Sequence, residues 1–289
     1  MIAALILTEV LAEAKDSGKL LLVTFMDSSK AFDIVNHASM LNALFEHGIK
    51  GELWSLYNNL YQEITSSVKW DGWLSSPFQE NQGIRQGGIT SPALYKTGRN
   101  KGLDQLDKNP TMPIGSLNAG ALMVADDLVL TASSPEDMQL ALTIAETDAG
   151  RERYIYNPDK TKILVINGKK CNPELLLNNK PLGISIKEKH LGIIRNSKNT
   201  NEDTIKQRIT DARRACYSLL GAGLCGLNGT GPEVALSLYS TYVIPLLLYG
   251  LKALVPRDKD LQTLETYHRP NIRHILHLPP STASPAISS

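Results

Sequence analysis

The chain has 289 residues, of which 42% are hydrophobic and 20% are charged, and its formal net charge at pH 7 is +1. This composition is typical of an ordinary soluble protein with room for one large domain or two smaller ones. We identify no apolar stretch of the roughly 18 residues that a membrane span needs, so a membrane protein is not expected. The cysteines (Cys171, Cys216 and Cys225) lack metal-ligand spacing, which favours a reducing, intracellular location in the cytoplasm or nucleus.

The near-zero net charge hides an uneven distribution along the chain. Residues 1–150 contain 10 Lys and Arg against 18 Asp and Glu, whereas residues 151–214, called here the basic band, contain 15 against 7. An acidic half can hold cations and a basic band can hold an anion. Solvated surface of either sign is an equally good interpretation of the charges alone.

The first part of the chain alternates between helical and strand patterns. Periodicity, apolar runs and turn residues predict the following elements in order: a helix over 5–16, a buried strand over 19–27, helices over 36–45 and 51–64, a short hairpin over 66–80 with Asp71-Gly72 at its turn, and a helix over 91–106.

The second part changes from mixed to purely helical patterning. Two apolar runs, 119–125 and 128–132, predict a hairpin, and an acidic first turn after Ser134 predicts a helix. Strands are predicted over 161–167, 174–177, 184–187 and 190–194, and helices from residue 200 with breaks at 221–231 and 255–260. The sequence therefore predicts a mixed α/β part and a helical part, with a boundary near 196–201.

Carboxylates occupy unusual positions in these strands. Asp126 and Asp127 interrupt the apolar hairpin, and Asp27 ends the buried strand over 19–27. If the strands are neighbours, Asp27 and Asp126 face each other, and such close charges require neutralising divalent cations. Two-metal phosphoryl transfer is the corresponding chemistry. An ordinary solvated turn is the alternative explanation for the adjacent pair.

Five ordered motifs carry a family resemblance. DSSKAFD, GIRQGGITSP, VADD, NPDKTK and KHLGI together resemble the reverse transcriptases of non-LTR (LINE-like, jockey-type) retrotransposons, over about residues 5–280. The resemblance implies an α/β (α+β) fold, a polymerase palm with an antiparallel sheet flanked by helices, followed by a helical thumb. Its implied divisions are a palm with a remnant of the fingers at 1–198, a thumb or connection at 199–280, and a disordered tail at 281–289.

The resemblance also implies site residues, an activity and partners. The activity is RNA-directed DNA synthesis on an RNA template and a DNA primer from deoxynucleoside triphosphates, with two Mg²⁺ ions (Mn²⁺ as a substitute) and no membrane partner. The implied roles are metal binding by Asp27, Asp126 and Asp127; proton donation by Lys160, with Lys162 as competitor; nucleotide binding by Lys30, Phe32, Gln86 and Gly87; and template or primer binding by Arg85, Ser91, Pro92, His190, Leu191 and Gly192. Phe32 would be the ring that excludes a ribose 2′-hydroxyl, and a core phenylalanine is its alternative. His190-Leu191-Gly192 would be the turn that grips the primer end, and an ordinary hairpin is its alternative.

Two departures from the family pattern qualify these expectations. Val124 stands where most of the family has Phe or Tyr, and the basic fingers segment precedes the region at which this chain opens. We therefore expect a piece of a longer element protein that extends primers barely or not at all, and an inactive nucleic-acid-binding remnant is the second hypothesis. A generic Mg²⁺ phosphohydrolase accounts for neither Phe32 nor the glycine-rich loop. If the polymerase interpretation holds, the carboxylates of Asp27 and Asp126 lie within about 4–6 Å.

Overall fold

The computed structural model describes residues 2–28, 32–85, 87–106, 113–114, 117–152, 154–168, 171–224, 229–279 and 281–282. The helices are α1 (Ile2–Ser17), α2 (His37–Glu46), α3 (Gly51–Tyr61), α4 (Ser91–Leu106), α5 (Pro135–Glu152), α6 (Glu202–Gly221), α7 (Pro232–Tyr242), α8 (Ile244–Leu248), a 3-10 helix (Leu251–Ala253) and α9 (Asp258–Ile275). The strands are β1 (Leu21–Met26), β2 (Thr65–Ser66), β3 (Lys69–Trp70), β4 (Trp73–Leu74), β5 (Phe78–Gln79), β6 (Pro113–Ile114), β7 (Leu117–Asn118), β8 (Ala121–Val124), β9 (Asp127–Ala132), β10 (Lys162–Ile166), β11 (Leu176–Leu177), β12 (Lys180–Pro181), β13 (Gly183–Ser185), β14 (Lys187–His190) and β15 (Ile193–Asn196).

The chain divides into two compact units, one formed by Glu13–Ile186 and the other by Met1–Ala12 with Lys187–Ser289. The first unit is built on a five-stranded sheet in the order β13-β10-β1-β9-β8. Central strand β1 is apolar along nearly its whole length. This suits its position, since it pairs with a strand on each side and nearly all of its residues are buried. Its antiparallel partners are β9 and β10, and α5 contributes Met138 and Leu142 to the core on one face.

Helices α2, α3 and α4 contribute to a second apolar cluster in this unit. Helix α2 begins at a clear signal, since the Asn36 side chain accepts a hydrogen bond from the amide of Ser39 at 3.0 Å. Met40 and Leu44 of α2 pack with Leu94 of α4. The inward side chains of α3 are aromatic, and their positions show the helical period: Trp54, Tyr57 and Tyr61.

The second unit combines the β14–β15 hairpin with helices α6 to α9. Its main core is formed by side chains of α6, α7, α8 and α9, including Ala212, Tyr239, Leu247 and Ile272. A smaller cluster joins Ala4 of α1 to Ile193 and Ala253. This unit is helical apart from its hairpin, as the pattern after residue 200 predicted.

Most predicted elements of the chain are confirmed, and one predicted strand is wrong. The strand expected over 190–194 is interrupted, because β14 ends at His190 and β15 begins at Ile193. The implied antiparallel sheet is confirmed except at its edge, where β13 runs parallel to β10. The predicted division at 198–199 remains a prediction about palm and thumb, and of the predicted disordered tail only Ser281 and Thr282 are among the described residues.

One stretch of the described chain, Pro232–Ala253, is long and apolar enough to cross a membrane by length and composition. The expectation that no stretch would meet this criterion was therefore wrong. The stretch is not one continuous helix, since α7 ends at Tyr242, α8 ends at Leu248, and Gly250 takes a left-handed φ of 82°.

Candidate active site

Asp27 lies at the end of the buried central strand, as its position in the sequence predicted. The backbone around it is fixed by the loop that precedes β10. The amide of Asn157 donates to the Asp27 carbonyl at 2.9 Å, and the Asp27 amide donates to the hydroxyl of buried Thr161 at 3.4 Å. These hydrogen bonds therefore fix the backbone position of Asp27 at the sheet edge.

The β8–β9 hairpin brings the other carboxylates to the same edge. Val124 pairs with Asp127, which leaves Ala125 and Asp126 as the turn, and Ala125 takes a left-handed φ of 56°. Such a conformation costs an alanine about 1 kcal/mol, so it is a strained position for this residue type. Met26 pairs with Leu128 in the adjacent ladder, so the next step of the register brings Asp27 opposite Asp127.

Electrostatics also relate the three carboxylates to one another. Burial raises the pKa of the Asp127 carboxyl, and the negative charges of Asp126 and Asp27 raise this pKa further. The hydroxyl of Ser28, next to Asp27, lies 3.5 Å from the Asp126 carbonyl. The predicted separation of 4–6 Å between the Asp27 and Asp126 carboxylates stays a prediction, although their electrostatic influence on Asp127 is the kind expected of neighbours.

Among the described residues, Lys160 is a cation that reaches this edge. Its ammonium nitrogen lies 3.5 Å from Oδ2 of Asp27, whereas Lys162 sits within β10, where it pairs with Phe25 and Gly183. The sequence left both lysines open as the proton donor. Of the two, Lys160 is the one that forms an ion pair with a carboxylate of the site.

The donor set fits a hard divalent cation. Oδ2 of Asp27 is buried and accepts no hydrogen bond, although it forms the ion pair with Lys160 at 3.5 Å. Burial and the neighbouring negative charges disfavour the charged form of Asp127. Both conditions are relieved by a bound cation with oxygen ligands. Within the described residues, no three His, Cys, Asp or Glu side chains are already assembled into a metal-binding group. Some rearrangement of Asp27 away from Lys160 would therefore accompany metal binding.

The glycine-rich loop has an internal hydrogen bond that the sequence did not reveal. The Ser91 hydroxyl donates to the Arg85 carbonyl at 2.7 Å, and Gly87 takes a left-handed φ of 87°. A Cβ added to Gly88 would lie 2.5 Å from the Ser91 Oγ, so the loop closes tightly against the start of α4. Pro92 follows in the first turn of α4, where its missing N–H costs nothing. Gln86 lies outside the described residues.

Phe32 is half-buried and stacks on Tyr95 of α4, with ring centroids 4.6 Å apart. It packs against the cluster of α2 and α4, and its carbonyl accepts a hydrogen bond from Ile84 at 2.8 Å. This contact accounts for an aromatic residue in purely structural terms, so the predicted role in sugar selection stays a prediction. Lys30 lies outside the described residues.

His190, Leu191 and Gly192 form the end and turn of the β14–β15 hairpin, in the other compact unit. Leu191 and Gly192 both take left-handed conformations, with φ of 49° and 78°. His190 is buried, and this burial together with the charge of Arg195 lowers its pKa to about 4. Arg195 is itself buried, donates to the Ala4 carbonyl at 2.8 Å, and has a pKa lowered to about 10 by burial.

Sequence reasoning missed two residues that contact this turn, Arg208 and Tyr249. Arg208 donates to the Gly192 carbonyl at 2.6 Å, and the Tyr249 hydroxyl donates to the Leu191 carbonyl at 3.3 Å. A signal for Arg208 did exist. Arg208 lies midway between Thr204 and Ala212 in the row of buried residues along α6, where an arginine is unusual.

Similarity to known proteins extends over most of the chain. The family described as "Reverse transcriptase (RNA-dependent DNA polymerase)" matches residues 4–206. The chain is 26% identical over 290 residues to a Pol polyprotein from the type-1 retrotransposable element R2 of Nasonia vitripennis, covering 96% of this chain and 27% of that protein. A corresponding R2 protein of Popillia japonica is 24% identical over 304 residues, covering 96% of this chain and 39% of that protein.

The similarities also have limits in length. The chain spans about a quarter to two-fifths of the curated relatives named above. A type-2 R2DM protein of Drosophila melanogaster is 32% identical over 117 residues, covering 40% of this chain and 11% of that protein. These relatives are non-LTR retrotransposon proteins of the R2 type, which agrees with the predicted class, while the jockey-type subdivision stays untested.

Two solved structures share the fold at low sequence identity. Apo telomerase from Candida tropicalis has a TM-score of 0.52 and 12% identity, covering 95% of this chain and 50% of that chain. Telomerase from the same organism with a TWJ fragment of telomeric RNA has a TM-score of 0.51 and 13% identity, covering 95% of this chain and 47% of that chain. These likenesses support the predicted palm-and-thumb class of fold.

Proposed function

The chain belongs to the reverse transcriptase family, and we propose that it carries out RNA-directed DNA synthesis within a non-LTR retrotransposon protein. The observation that carries this proposal is the meeting of Asp27 with the Asp126–Asp127 hairpin at one edge of the central sheet. Ser28 contacts the hairpin backbone, and the Asp27 and Asp126 charges both raise the Asp127 pKa. We place this activity inside the cell, in the cytoplasm or nucleus.

In this proposal Asp27, Asp126 and Asp127 hold two Mg²⁺ ions, for which Mn²⁺ can substitute. When bound, such ions stabilise the attacking and leaving oxygens of nucleotidyl transfer. The chain contributes three carboxylates at one sheet edge, and the strained Ala125 turn carries Asp126 and leads into Asp127. Removing any one of these carboxylates removes a hard oxygen ligand of the kind that Mg²⁺ prefers.

Lys160 is the proposed proton donor to the leaving pyrophosphate. It already lies beside the site, with its ammonium 3.5 Å from the Asp27 carboxylate, and its side chain is 67% exposed. An exposed ammonium is free to turn from Asp27 to a phosphate oxygen without a large desolvation cost. Lys162, held in β10, is the weaker candidate.

The remaining site residues are proposed to bind substrates. Lys30, Phe32, Gln86 and Gly87 contact the incoming deoxynucleoside triphosphate; Arg85, Ser91, Pro92, His190, Leu191 and Gly192 position the RNA template and the DNA primer. For Ser91 and His190 the described contacts favour an indirect role. Ser91 closes the loop through the Arg85 carbonyl, and the His190 side chain is buried.

Primer extension tests the proposal. Labelled DNA primer annealed to an RNA template is incubated with the chain, Mg²⁺ and deoxynucleotides, alongside Asp126→Asn and reactions without divalent metal. We expect the chain alone to extend primers barely or not at all, and an added upstream fingers segment from a related element to restore Mg²⁺-dependent extension that Asp126→Asn abolishes. Template–primer binding without any extension, even with the added segment, would favour the alternative of an inactive nucleic-acid-binding remnant.

A further inference from the structure

The turn at Leu191-Gly192 has the backbone geometry of a type I′ hairpin turn with an unfavourable residue in it. Leu191 has a φ of 49° and Gly192 a φ of 78°. Asn-Gly is the usual sequence for such turns, because Asn tolerates the left-handed region and Leu does not. A leucine in this conformation costs about 1 kcal/mol and persists only where the surroundings fix the backbone.

Two side chains distant in sequence supply that fixation, and both bind carbonyl groups of the turn. Arg208 Nη2 donates to the Gly192 carbonyl at 2.6 Å, and Arg208 is buried. The Tyr249 hydroxyl donates to the Leu191 carbonyl at 3.3 Å. The two side chains also support each other, since the Arg208 guanidinium lies 5.1 Å from the centre of the Tyr249 ring.

Close packing reinforces these hydrogen bonds. A Cβ added to Gly192 would lie 2.7 Å from Cε1 of the Tyr249 ring, so the ring rests directly on the turn. Gly250, which follows Tyr249, takes a φ of 82°, and a Cβ there would lie 3.0 Å from the Ile193 side chain. The segment 249–250 and the turn at 191–192 therefore approach each other so closely that each needs a glycine.

We infer that Arg208 and Tyr249 are positioning residues that hold the Leu191-Gly192 turn in the conformation that binds the primer terminus. This inference rests on the proposed function, in which that turn contacts the primer. Because both turn carbonyls bind Arg208 and Tyr249, the turn is preorganised before the primer arrives. Loss of either hydrogen bond frees the turn to leave its strained conformation, and the terminal nucleotides lose their defined position.

A footprint of the primer terminus tests the inference without requiring turnover. The whole chain is bound to a labelled DNA primer on an RNA template, and hydroxyl-radical cleavage is read at each primer nucleotide. Tyr249→Phe removes only the hydroxyl and retains the ring, and Arg208→Lys retains the charge but loses the planar fork. Tyr242→Phe and Arg269→Lys are the matched controls, since both wild-type side chains are exposed and lie outside the basic band.

We expect wild type and both controls to protect the last primer nucleotides. Tyr249→Phe and Arg208→Lys should reduce that terminal protection about tenfold, as expected for loss of a specific hydrogen bond at a preorganised site. Protection of the upstream duplex and the melting temperature of Tyr249→Phe should stay at wild-type values. A merely structural role would instead lower the melting temperature and weaken protection along the whole duplex.

The outcomes separate this inference from the proposed function. If wild type binds the duplex and Tyr249→Phe protects the terminus equally well, the positioning role is overturned while the polymerase proposal stands. If wild type does not bind the template–primer at all, the proposed function itself fails. Should Arg208→Lys not fold, Tyr249→Phe alone decides, because its ring and its packing are unchanged.

Discussion

The ion pair between Lys160 and Asp27 predicts how metal affinity responds to a single substitution. Without a divalent cation, Oδ2 of Asp27 forms an ion pair with the Lys160 ammonium, which lies 3.5 Å away. A cation that binds Asp27 must displace this ammonium and then tolerate its repulsion. Lys160→Ala is therefore expected to tighten Mg²⁺ binding, even though it removes the proposed proton donor.

The size of the effect follows from the exposure of the pair. The Lys160 and Asp27 side chains are 67% and 42% exposed, so solvent screens their attraction. Ion pairs of this kind contribute about 0.2–1 kcal/mol, which corresponds to an affinity change of about 1.4- to 5-fold. The effect should shrink as salt is added, because screening weakens it further.

Calorimetric titration of the chain with Mg²⁺, in the absence of nucleic acid and at low ionic strength, measures this change. Lys162→Ala is the matched control, because it removes an equal charge from β10, where no described contact links Lys162 to Asp27. Equal dissociation constants for wild type and Lys160→Ala, or a weaker one for the variant, would refute the idea that Lys160 competes with the metal.

Three further predictions concern the sugar, the basic band and pH. Phe32→Val should raise ribonucleotide incorporation relative to deoxynucleotides in a polymerising protein, and unchanged discrimination would make Phe32 a core residue only. The same change should lose the stacking on Tyr95, which is worth about 0.5–1.5 kcal/mol in a double-mutant cycle of unfolding. Lys189→Ala, at an exposed position of the basic band, should reduce the slope of log binding constant against log salt for a template–primer by about 0.7–0.9, whereas Lys189→Arg should not; an unaltered slope would exclude Lys189 from phosphate contact. Because the folded-state pKa of His190 is lowered from 6.5 to about 4, its contribution to stability is present above pH 6.5 and lost as pH falls toward 4. Between pH 7 and pH 5, the free energy of urea unfolding should therefore fall by about 2 kcal/mol more for wild type than for His190→Gln. Equal falls in the two proteins would contradict this.

Local patterns predicted the positions of the carboxylates well. Asp27 follows an apolar run that was predicted to be a buried strand, and Asp126 and Asp127 interrupt two short runs that were predicted to form a hairpin. The structure bears out both elements and brings them to the same sheet edge. The choice between Lys160 and Lys162 could not be made locally, because it depends on how the loop before β10 approaches Asp27.

The remaining features depend on contacts that local patterns do not encode. The parallel pairing of β13 with β10 is determined by tertiary contacts. The sequence pattern of β13 does not indicate whether the strand runs parallel or antiparallel to its neighbour. Periodicity placed the turn after His190 within a predicted strand, because Leu191 favours extended backbone, whereas the family resemblance implied a turn at His190-Leu191-Gly192. Its left-handed conformation is supported by Arg208 and Tyr249, which are far away in the sequence.

Iron-directed cleavage tests the central claim, which is that Asp27, Asp126 and Asp127 form one divalent-cation site. Fe²⁺ replaces Mg²⁺ at oxygen-rich sites, and with ascorbate and peroxide it generates radicals that cut the nearby backbone. We expect cuts around residue 27 and around residues 125–128, which excess Mg²⁺ suppresses and Asp126→Asn eliminates. Cleavage that is absent from these two segments, or that persists unchanged in Asp126→Asn, would contradict it.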